Sequence, residues 1–228
     1  MKQAIDCFLP YVDAAQAKAT IDGLRESALV NNIYLLATDA AATAVEGCTL
    51  VHIDALNSSD TMLKIAEAAK APYTLLYTKY NNLVMGYFAL DRFVRLAGDS
   101  KAGMMYADSY TIVEGKKSNA PVIDYQEGSL RDDFNFGSVL SFDTEVFKKA
   151  AAGIDVHYTA AGLYDLRLRL SRIAPIVHIN EYLYSDVTID NRKSGEKIFD
   201  YVDPKNRGVQ IEMEKACTAH LKAVGGYL

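Results

Sequence analysis

The densest group of chemically active side chains lies in the sequence YQEGSLRDDFNFGSV, residues 125–139. It holds one arginine, two adjacent acids and two phenylalanines: Arg131, Asp132, Asp133, Phe134 and Phe136. Aromatic faces suit the apolar faces of sugar rings, carboxylates accept hydrogen bonds from hydroxyl groups, and a guanidinium fork matches phosphate oxygens. The alternative is a turn with a local ion pair and two core phenylalanines that lead into a strand at residue 137. Two adjacent acids do not make a metal site by themselves, because neighbouring side chains of a strand point apart.

Two further acids stand at the ends of predicted strands. Asp39 follows the strand IYLLA (33–37), where a carboxylate could accept hydrogen bonds from a nucleobase N–H or from ribose hydroxyls. It could equally cap a short helix after the strand, since Asp is favoured at that position. Asp108 ends the predicted strand GMMYAD and could take a proton from a substrate hydroxyl within hydrogen-bond reach.

A helix predicted over LYDLRLRLS (163–171) contains another acid, Asp165. Asp165 could act as a general base, but its spacing to Arg169 also fits a structural i, i+4 ion pair. His157 is a third candidate for proton transfer, since histidine titrates near neutral pH. A packing or surface role is the alternative for this histidine.

The fourth predicted strand ends in a polar turn without acids, in the stretch YTLLYTKYNNLVMG (73–86). Lys79 and Tyr80 lie in this turn, where an ammonium and a phenol could hold a diphosphate by charge and hydrogen bonding. An ordinary solvated turn is the alternative. Pro10 and Tyr11, at the end of the first strand, would lie opposite, where a backbone carbonyl and an aromatic face could hold a nucleobase. Tyr11 could equally be a core residue.

Composition limits the class of protein. The chain has 228 residues, half of them apolar, and a net charge of −5 without a basic block. Nucleic-acid and anionic-membrane binding therefore have no electrostatic support, and no stretch is long and apolar enough to predict a membrane span. The three cysteines, Cys7, Cys48 and Cys217, fit reduced thiols and a cytoplasmic location better than a disulfide framework or a zinc site.

The elements that must position these residues alternate between strand and helix over the first hundred residues, and Asp13 is predicted to cap the first helix. Continuous apolar strands separated by amphipathic helices predict a mostly parallel α/β sheet covered on both faces. Such sheets bind ligands beyond the carboxyl ends of their strands, which is where Asp39, Lys79 and Asp108 fall. No Gly-rich fingerprint follows the first strand and no Walker loop is present, so neither a dinucleotide site nor a P-loop is predicted.

The pattern is mixed in the second half of the chain. We predict a β-hairpin in residues 110–125 with its turn at Gly115–Asn119, a long polar loop over 185–207, and a last helix from Val209 that stops at Gly225–Gly226. One domain is predicted over the whole chain, in three parts: residues 1–102, residues 103–186, and a loop with the C-terminal helix (187–228).

The order of these pieces resembles family 2 glycosyltransferases, which have a GT-A fold. The resemblance runs from the first strand to residue 186 and rests on five segments: FLPYVD (8–13), LLATDAAAT (35–43), APYTLLYTKYNNLVMG (71–86), LYDLRLRL (163–170) and INEYLYSDV (179–187). The matching positions are Asp13 (in place of the family's Asn), Asp39, Thr43, Asp165, Leu166 and Arg169. The resemblance implies a Rossmann-like, mostly parallel sheet flanked by helices, a mixed second half, and a nucleotide site that includes Asp39. It also implies that residues 1–102 are the nucleotide-binding half and residues 103–186 the acceptor-side half.

Two catalytic features of that family are missing. Its members hold a divalent metal, Mn²⁺ or Mg²⁺, through an Asp-x-Asp pair, and the matching positions here are Thr78, Lys79 and Tyr80. Their general base is commonly the Asp of a Glu-Asp pair, and the matching positions here are Gly162 and Leu163. The resemblance therefore predicts no certain cofactor, because a metal would lack its usual ligands and cationic side chains would have to replace it at the diphosphate.

Three functions fit these observations. The first is metal-free transfer of a sugar from a nucleotide-sugar donor to a glycan acceptor, with Lys79 or Arg131 at the phosphates and Asp165 or Asp108 as base. The second is a catalytically silent glycosyltransferase-like domain that binds a nucleotide or a glycan, or docks on an active partner domain of a longer protein. The third is an unrelated doubly wound binding module, which a different sheet order would support.

Overall fold

The computed structural model describes residues 3–188 and 207–226. Its first half alternates strands and helices: β1 Ile5–Tyr11, α1 Ala14–Arg25, β2 Val30–Ala37, β3 Thr49–His52, α2 Ser59–Ala68, β4 Tyr73–Tyr77, β5 Asn82–Met85 and α3 Ala89–Ser100. The remainder is mixed: β6 Met104–Val113, β7 Lys116–Ala120, β8 Val139–Asp143, α4 Thr144–Ala152, α5 Gly162–Ser171, β9 Ile176–Val187 and α6 Arg207–Val224.

The described strands form one sheet in the order β3-β2-β1-β4-β8-β6-β9-β5, with β7 paired to β6. β3, β2, β1 and β4 are parallel to one another, and β6 is parallel to β9. β8 runs antiparallel to both β4 and β6, so the two parallel groups point the same way. This is the GT-A-like arrangement that the resemblance predicted, and the fold class is confirmed. An unrelated doubly wound sheet does not describe this order.

Side chains alternate between two faces of the sheet, each covered by helices. In β1, Cys7 and Leu9 enter one core and Phe8 enters the other. α1 and α3 cover the first face, and α2, α4 and α5 cover the second. α6 packs on α5 through a smaller cluster that includes Leu168 and Ala216. Burial on both faces explains why the strands read as continuous apolar runs.

Short polar side chains and glycines set the helix ends. Asp13 caps α1 as predicted, accepting from the Gln16 amide at 2.8 Å. Asp143 caps α4 in the same way, through the Val146 amide at 3.0 Å. At the end of α6, the amides of Gly225 and Gly226 donate to carbonyls three and five residues earlier, the two bonds of a Schellman motif.

The structure corrects the predicted boundaries at three places. The hairpin turn is Glu114–Gly115, both with positive φ, and the residues predicted as turn form most of β7. Residues 82–85 form β5, a strand that was not predicted and that begins at the last residue of the predicted polar turn; it pairs antiparallel with β9 at the edge of the sheet. β9 continues to Val187, so residues 185–187 of the predicted polar loop form strand, and its residues 189–206 lie outside the described residues.

Candidate functional site

The turn that follows β4 is fastened to the start of β8. The Thr78 amide and hydroxyl both donate to the Ser138 carbonyl oxygen, at 2.9 and 3.2 Å. Tyr80 is 41% exposed, and its carbonyl oxygen accepts from the Gln16 side chain at 3.1 Å. These bonds give the predicted phosphate-binding turn a fixed backbone.

Lys79 in this turn is held by a buried carboxylate. Its ammonium lies 2.7 Å from Asp186 Oδ2, and the Asp186 side chain is only 2% exposed. The same carboxylate accepts from the hydroxyls of Tyr77 at 2.9 Å and Ser138 at 2.8 Å. Burial, and then the charge of Asp186, raises the pKa of Tyr77, so its phenol remains a donor. Because a buried carboxylate needs a counter-charge, Lys79 has a structural role, and its contact with phosphate stays a prediction.

A cavity of about 480 Å³ opens beyond the carboxyl end of β4. Its volume lies in the range of about 300–1,000 Å³ that is usual for small-molecule sites. The wall is built by the turn after β4, the segment 132–137, the first turns of α5 and one residue of α6: Thr78, Asp132, Asp133, Leu163, Arg167 and Met213 are among its lining residues. The fold therefore places a ligand-sized space at the edge of the sheet where the sequence predicts a site.

The acidic loop of residues 131–137 forms one side of this cavity. Arg131 and Asp133 make the predicted local ion pair, with two hydrogen bonds of 2.9 and 2.8 Å. Asp132 and Asp133 both line the cavity, whereas Arg131 does not. The predicted pair of phenylalanines packs edge-on against the buried ring of Tyr106. This stretch is therefore the predicted turn with an ion pair and two packed phenylalanines. It also presents two carboxylates to the cavity, as the ligand-binding interpretation requires.

The start of α5 explains the absence of the Glu-Asp pair. A Cβ atom at Gly162 would lie 2.1 Å from the Ser59 amide nitrogen and 2.3 Å from the Ser58 carbonyl carbon. No side chain fits at that position, because the backbone of the α2 start occupies the space. Leu163 lines the cavity, so the position matched to the family's general base faces the candidate site but carries an apolar side chain.

Arg167, one turn further along α5, was not predicted from the sequence. The residue is only 4% exposed, and its Nη1 and Nη2 donate to the carbonyl oxygens of Ser129 and Arg131 at 2.8 and 2.9 Å. Its guanidinium lies 4.9 Å from the ring centroid of Tyr164. The sequence feature that could have identified Arg167 is its i, i+4 spacing from Leu163, which places both side chains on one face of the helix.

Asp108, a predicted catalytic acid, is buried in a polar cluster away from the cavity lining. Its Oδ1 accepts from the Val122 amide at 2.9 Å and lies 3.0 Å from His178 Nε2. The other ring nitrogen of His178 lies 2.6 Å from Asp124, and this ring stacks on Tyr106 with centroids 5.0 Å apart. His178 was missed because only the pairing of β6 with β9 brings it to Asp108.

Asp165, the other predicted catalytic acid, forms the ion pair that was its alternative role. Its Oδ2 lies 2.8 Å from Arg169 Nε, and Arg169 also pairs with Asp155 at 2.6 Å. Burial raises the pKa of Asp165, although the neighbouring guanidinium opposes this shift. His157, the third candidate, is exposed and lies 2.6 Å from Asp60 at the start of α2. Neither Asp165 nor His157 lines the cavity.

The predicted base-binding residues lie at the carboxyl ends of β1 and β2. Pro10 is buried in β1, and Tyr11 is a core residue, 4% exposed, whose hydroxyl donates to the Thr43 carbonyl oxygen at 2.9 Å. Asp39 is exposed, and its Oδ1 accepts from the Ala41 amide at 2.8 Å. It therefore closes a turn rather than capping a helix, and its second carboxylate oxygen makes no hydrogen bond within the described part of the chain.

The donor set does not fit a divalent metal at the turn after β4. The positions matched to the metal ligands offer a hydroxyl, an ammonium and a phenol, whereas Mg²⁺ and Mn²⁺ prefer carboxylate and carbonyl oxygens. The nearby Asp186 carboxylate is already bound by Lys79. Within residues 3–188 and 207–226, no three His, Cys, Asp or Glu side chains are grouped as a metal site would require.

No protein-family model matches this sequence, and no curated protein matches it significantly. Across the two described parts of the chain, none of the helices combines the length and apolarity needed to cross a bilayer.

Solved structures with the same fold come from S. aureus TarS. The chain superposes on TarS 1–349 with a TM-score of 0.65 and 8% identity. The superposed region covers 97% of this chain and 65% of the TarS chain. The complexes of TarS 1–349 with UDP and with UDP-GlcNAc give TM-scores of 0.64 and 0.61 at 9% and 10% identity. The chain thus spans 65–66% of the length of these structures. At such low identity the likeness shows the fold alone, and that fold is glycosyltransferase-like.

Proposed function

We propose that this chain is a glycosyltransferase-like protein of the family 2 type that binds a nucleotide-sugar donor and transfers the sugar to a glycan acceptor without an Asp-x-Asp metal pair. The observation that carries the proposal is the cavity of about 480 Å³ at the carboxyl end of β4 in a GT-A-like sheet. The TarS complexes with UDP and UDP-GlcNAc, which share this fold, support a nucleotide sugar as the ligand.

The division of labour follows the predicted halves of the chain. Residues 1–102 would hold the nucleotide, with Asp39 at the ribose or base and Pro10 and Tyr11 opposite. Residues 103–186 would hold the acceptor, with the acidic loop beside it. A cytoplasmic location, inferred from the odd number of cysteines, belongs to the same proposal.

Transfer requires a base for the acceptor hydroxyl and a positive charge for the departing diphosphate. Asp132 is the carboxylate that we assign to the first task, because it lines the cavity while Asp133 is engaged by Arg131. A carboxylate within hydrogen-bond reach of the hydroxyl would take its proton as the glycosidic bond forms. The diphosphate would be stabilised by a fixed cation in the cavity wall.

A second candidate function is a catalytically silent binding domain. It is favoured by the start of α5, where Gly162 has no room for a side chain and Leu163 presents an apolar group to the cavity. In this alternative the protein binds a nucleotide or glycan, or docks on an active partner domain, without turnover.

Calorimetric titration with UDP, GDP and UDP-GlcNAc, with and without Mn²⁺, tests the proposal. We expect binding of a nucleoside diphosphate with an affinity that does not depend on Mn²⁺, together with slow release of sugar from the bound donor. Release that falls at least tenfold in Asp132→Asn, with donor affinity unchanged, would support transfer. Binding without release in any donor would select the silent domain. No binding of any nucleotide would refute the transferase and would leave the silent domain with only a glycan or a partner domain as its ligand.

A further inference from the structure

Arg167 is a buried cation without a carboxylate partner in the described part of the chain. It is 4% exposed, yet its guanidinium contacts two backbone carbonyl oxygens and three aromatic rings. Burying a charge is costly unless an opposite charge compensates it. The carbonyl dipoles and ring faces offset only part of that cost.

The other cations near the site already have carboxylate partners. Lys79 is bound by Asp186 at 2.7 Å, and Arg131 is bound by Asp133 at 2.8 Å. Neither of these two cations lines the cavity, whereas Arg167 does. A guanidinium has five N–H donors, of which the two carbonyl bonds use one on each terminal nitrogen.

We propose that Arg167 is the phosphate-binding residue of the cavity, in place of the predicted Lys79 and Arg131. Its planar fork matches phosphate oxygens with two parallel hydrogen bonds, and such charge-assisted bonds are strong where water is excluded. The inference rests on the proposed function for the identity of the ligand, but not for the presence of an anion. The phosphate comes either from the diphosphate of the donor or from a phosphate group carried by the acceptor.

Titration of the full chain with inorganic pyrophosphate, UDP, uridine and glycerol 3-phosphate tests this assignment. We expect the wild-type protein to bind pyrophosphate or glycerol 3-phosphate, and Arg167→Gln to lose at least tenfold in that affinity. Arg167→Lys, which keeps the charge but loses the fork, should lose about threefold or more. Arg172→Gln, at the exposed end of α5 and outside the cavity lining, should bind as the wild type does.

The ligands separate the two sources of phosphate. A loss confined to pyrophosphate and UDP assigns Arg167 to the donor, and a loss confined to glycerol 3-phosphate assigns it to the acceptor. Equal affinities in the wild type and Arg167→Lys, or no binding of either phosphate compound by the wild type, would overturn the inference. If circular dichroism shows that Arg167→Gln is unfolded, the affinity of Arg167→Lys for the phosphate compounds tests the assignment instead. If the proposed function alone is wrong, UDP-GlcNAc fails to bind while pyrophosphate binding still depends on Arg167.

Discussion

At the scale of single residues, the ion pair of Lys79 and Asp186 gives Lys79 a structural role that its position in the sequence did not indicate. In the sequence, Lys79 occupies the position of a missing metal ligand. In the structure its ammonium compensates a carboxylate that also accepts hydrogen bonds from Tyr77 and Ser138. The pair joins the turn after β4 to the end of β9, and its loss would leave a buried charge uncompensated.

Lys79→Met should therefore lower the free energy of unfolding by about 1–2 kcal/mol, since a hydrogen bond to a charged group is lost while water reaches part of the site. The Lys79 side chain is 48% exposed, which limits the effect. Lys18→Met is the control, because Lys18 and Asp22 are both largely exposed and such pairs contribute less than about 1 kcal/mol. Urea unfolding followed by circular dichroism measures both. Equal effects of the two substitutions would contradict the structural role of Lys79.

Sequence distance separates the residue contacts that could be predicted from those that could not. The Asp13 cap and the pair of Asp165 with Arg169 lie within one helical turn, and local spacing predicted both. Lys79 and Asp186 are 107 residues apart, and the burial of Arg167 depends on the loop of residues 125–137 folding over it. Neither follows from local spacing, because each needs the order of strands and the path of a loop.

At the scale of elements, α6 supplies a hydrogen-bond acceptor to the free amides at the start of α5. Its Glu212 accepts hydrogen bonds from the amides of Thr159, Ala160 and Ala161 at 3.1, 2.7 and 3.2 Å. A carboxylate at the first turn of a helix compensates both the free N–H groups and the helix dipole. α6 also supplies Met213 to the cavity, so one helix stabilises α5 and closes part of the candidate site.

Glu212→Ala should destabilise the protein by about 1–3 kcal/mol, because several backbone donors lose a charged acceptor. The matched control is Glu214→Ala on the same helix, where the exposed carboxylate accepts, among the residues that the structure describes, only from Gln210, at 3.2 Å. Thermal unfolding at neutral pH compares the two variants. A Glu212→Ala effect no larger than that of the control would show that the α5 start does not depend on this carboxylate.

The same pair of variants has a defined pH dependence. Burial would raise the pKa of Glu212, but the three amide donors outweigh it and hold the pKa below its ordinary value of 4.5. A group with a lowered folded-state pKa stabilises the protein above its unfolded-state pKa and loses that contribution as the pH falls through the folded-state value. The difference between wild type and Glu212→Ala should therefore be constant near neutral pH and shrink below about pH 4.5.

The elements themselves were predicted with unequal success, for reasons of burial. β1, β4, β8 and the last five residues of β2 are almost fully buried, so their apolar runs identified them. β5 is short, alternates in burial and forms only because β9 extends far enough to pair with it. A strand of that kind cannot be recognised until its partner is known.

At the scale of the whole molecule, the sheet buries several tyrosines in its two cores. Tyr77, Tyr106 and Tyr184 are each at most 1% exposed. Burial raises the pKa of Tyr77 and raises that of Tyr106 to about 12. A raised folded-state pKa contributes stability below the ordinary tyrosine pKa of about 10, and that contribution is lost as the pH rises through the folded-state value.

Part of the phenolate absorbance should therefore develop only when the protein unfolds in alkali. We expect the last phenols of the fifteen tyrosines to ionise together with the loss of far-ultraviolet circular dichroism. In concentrated urea all of them should titrate in one step near the ordinary pKa of about 10. Complete ionisation near that pH with the circular dichroism intact would contradict the two closed cores.

The contact between the starts of α2 and α5 bears on how relatives of this chain diverged. Because the neighbouring backbone lies 2.1 Å from where a Cβ would stand at Gly162, any larger side chain there would force the two helices apart. Position 163 has no such barrier, because its side chain already faces open space. Substitution is therefore not equivalent at the two positions: an acid at residue 162 would separate the helices, whereas Leu163→Asp would leave their contact intact. Among relatives that keep this helix contact, we expect glycine at the first position whether or not an acid stands at the second.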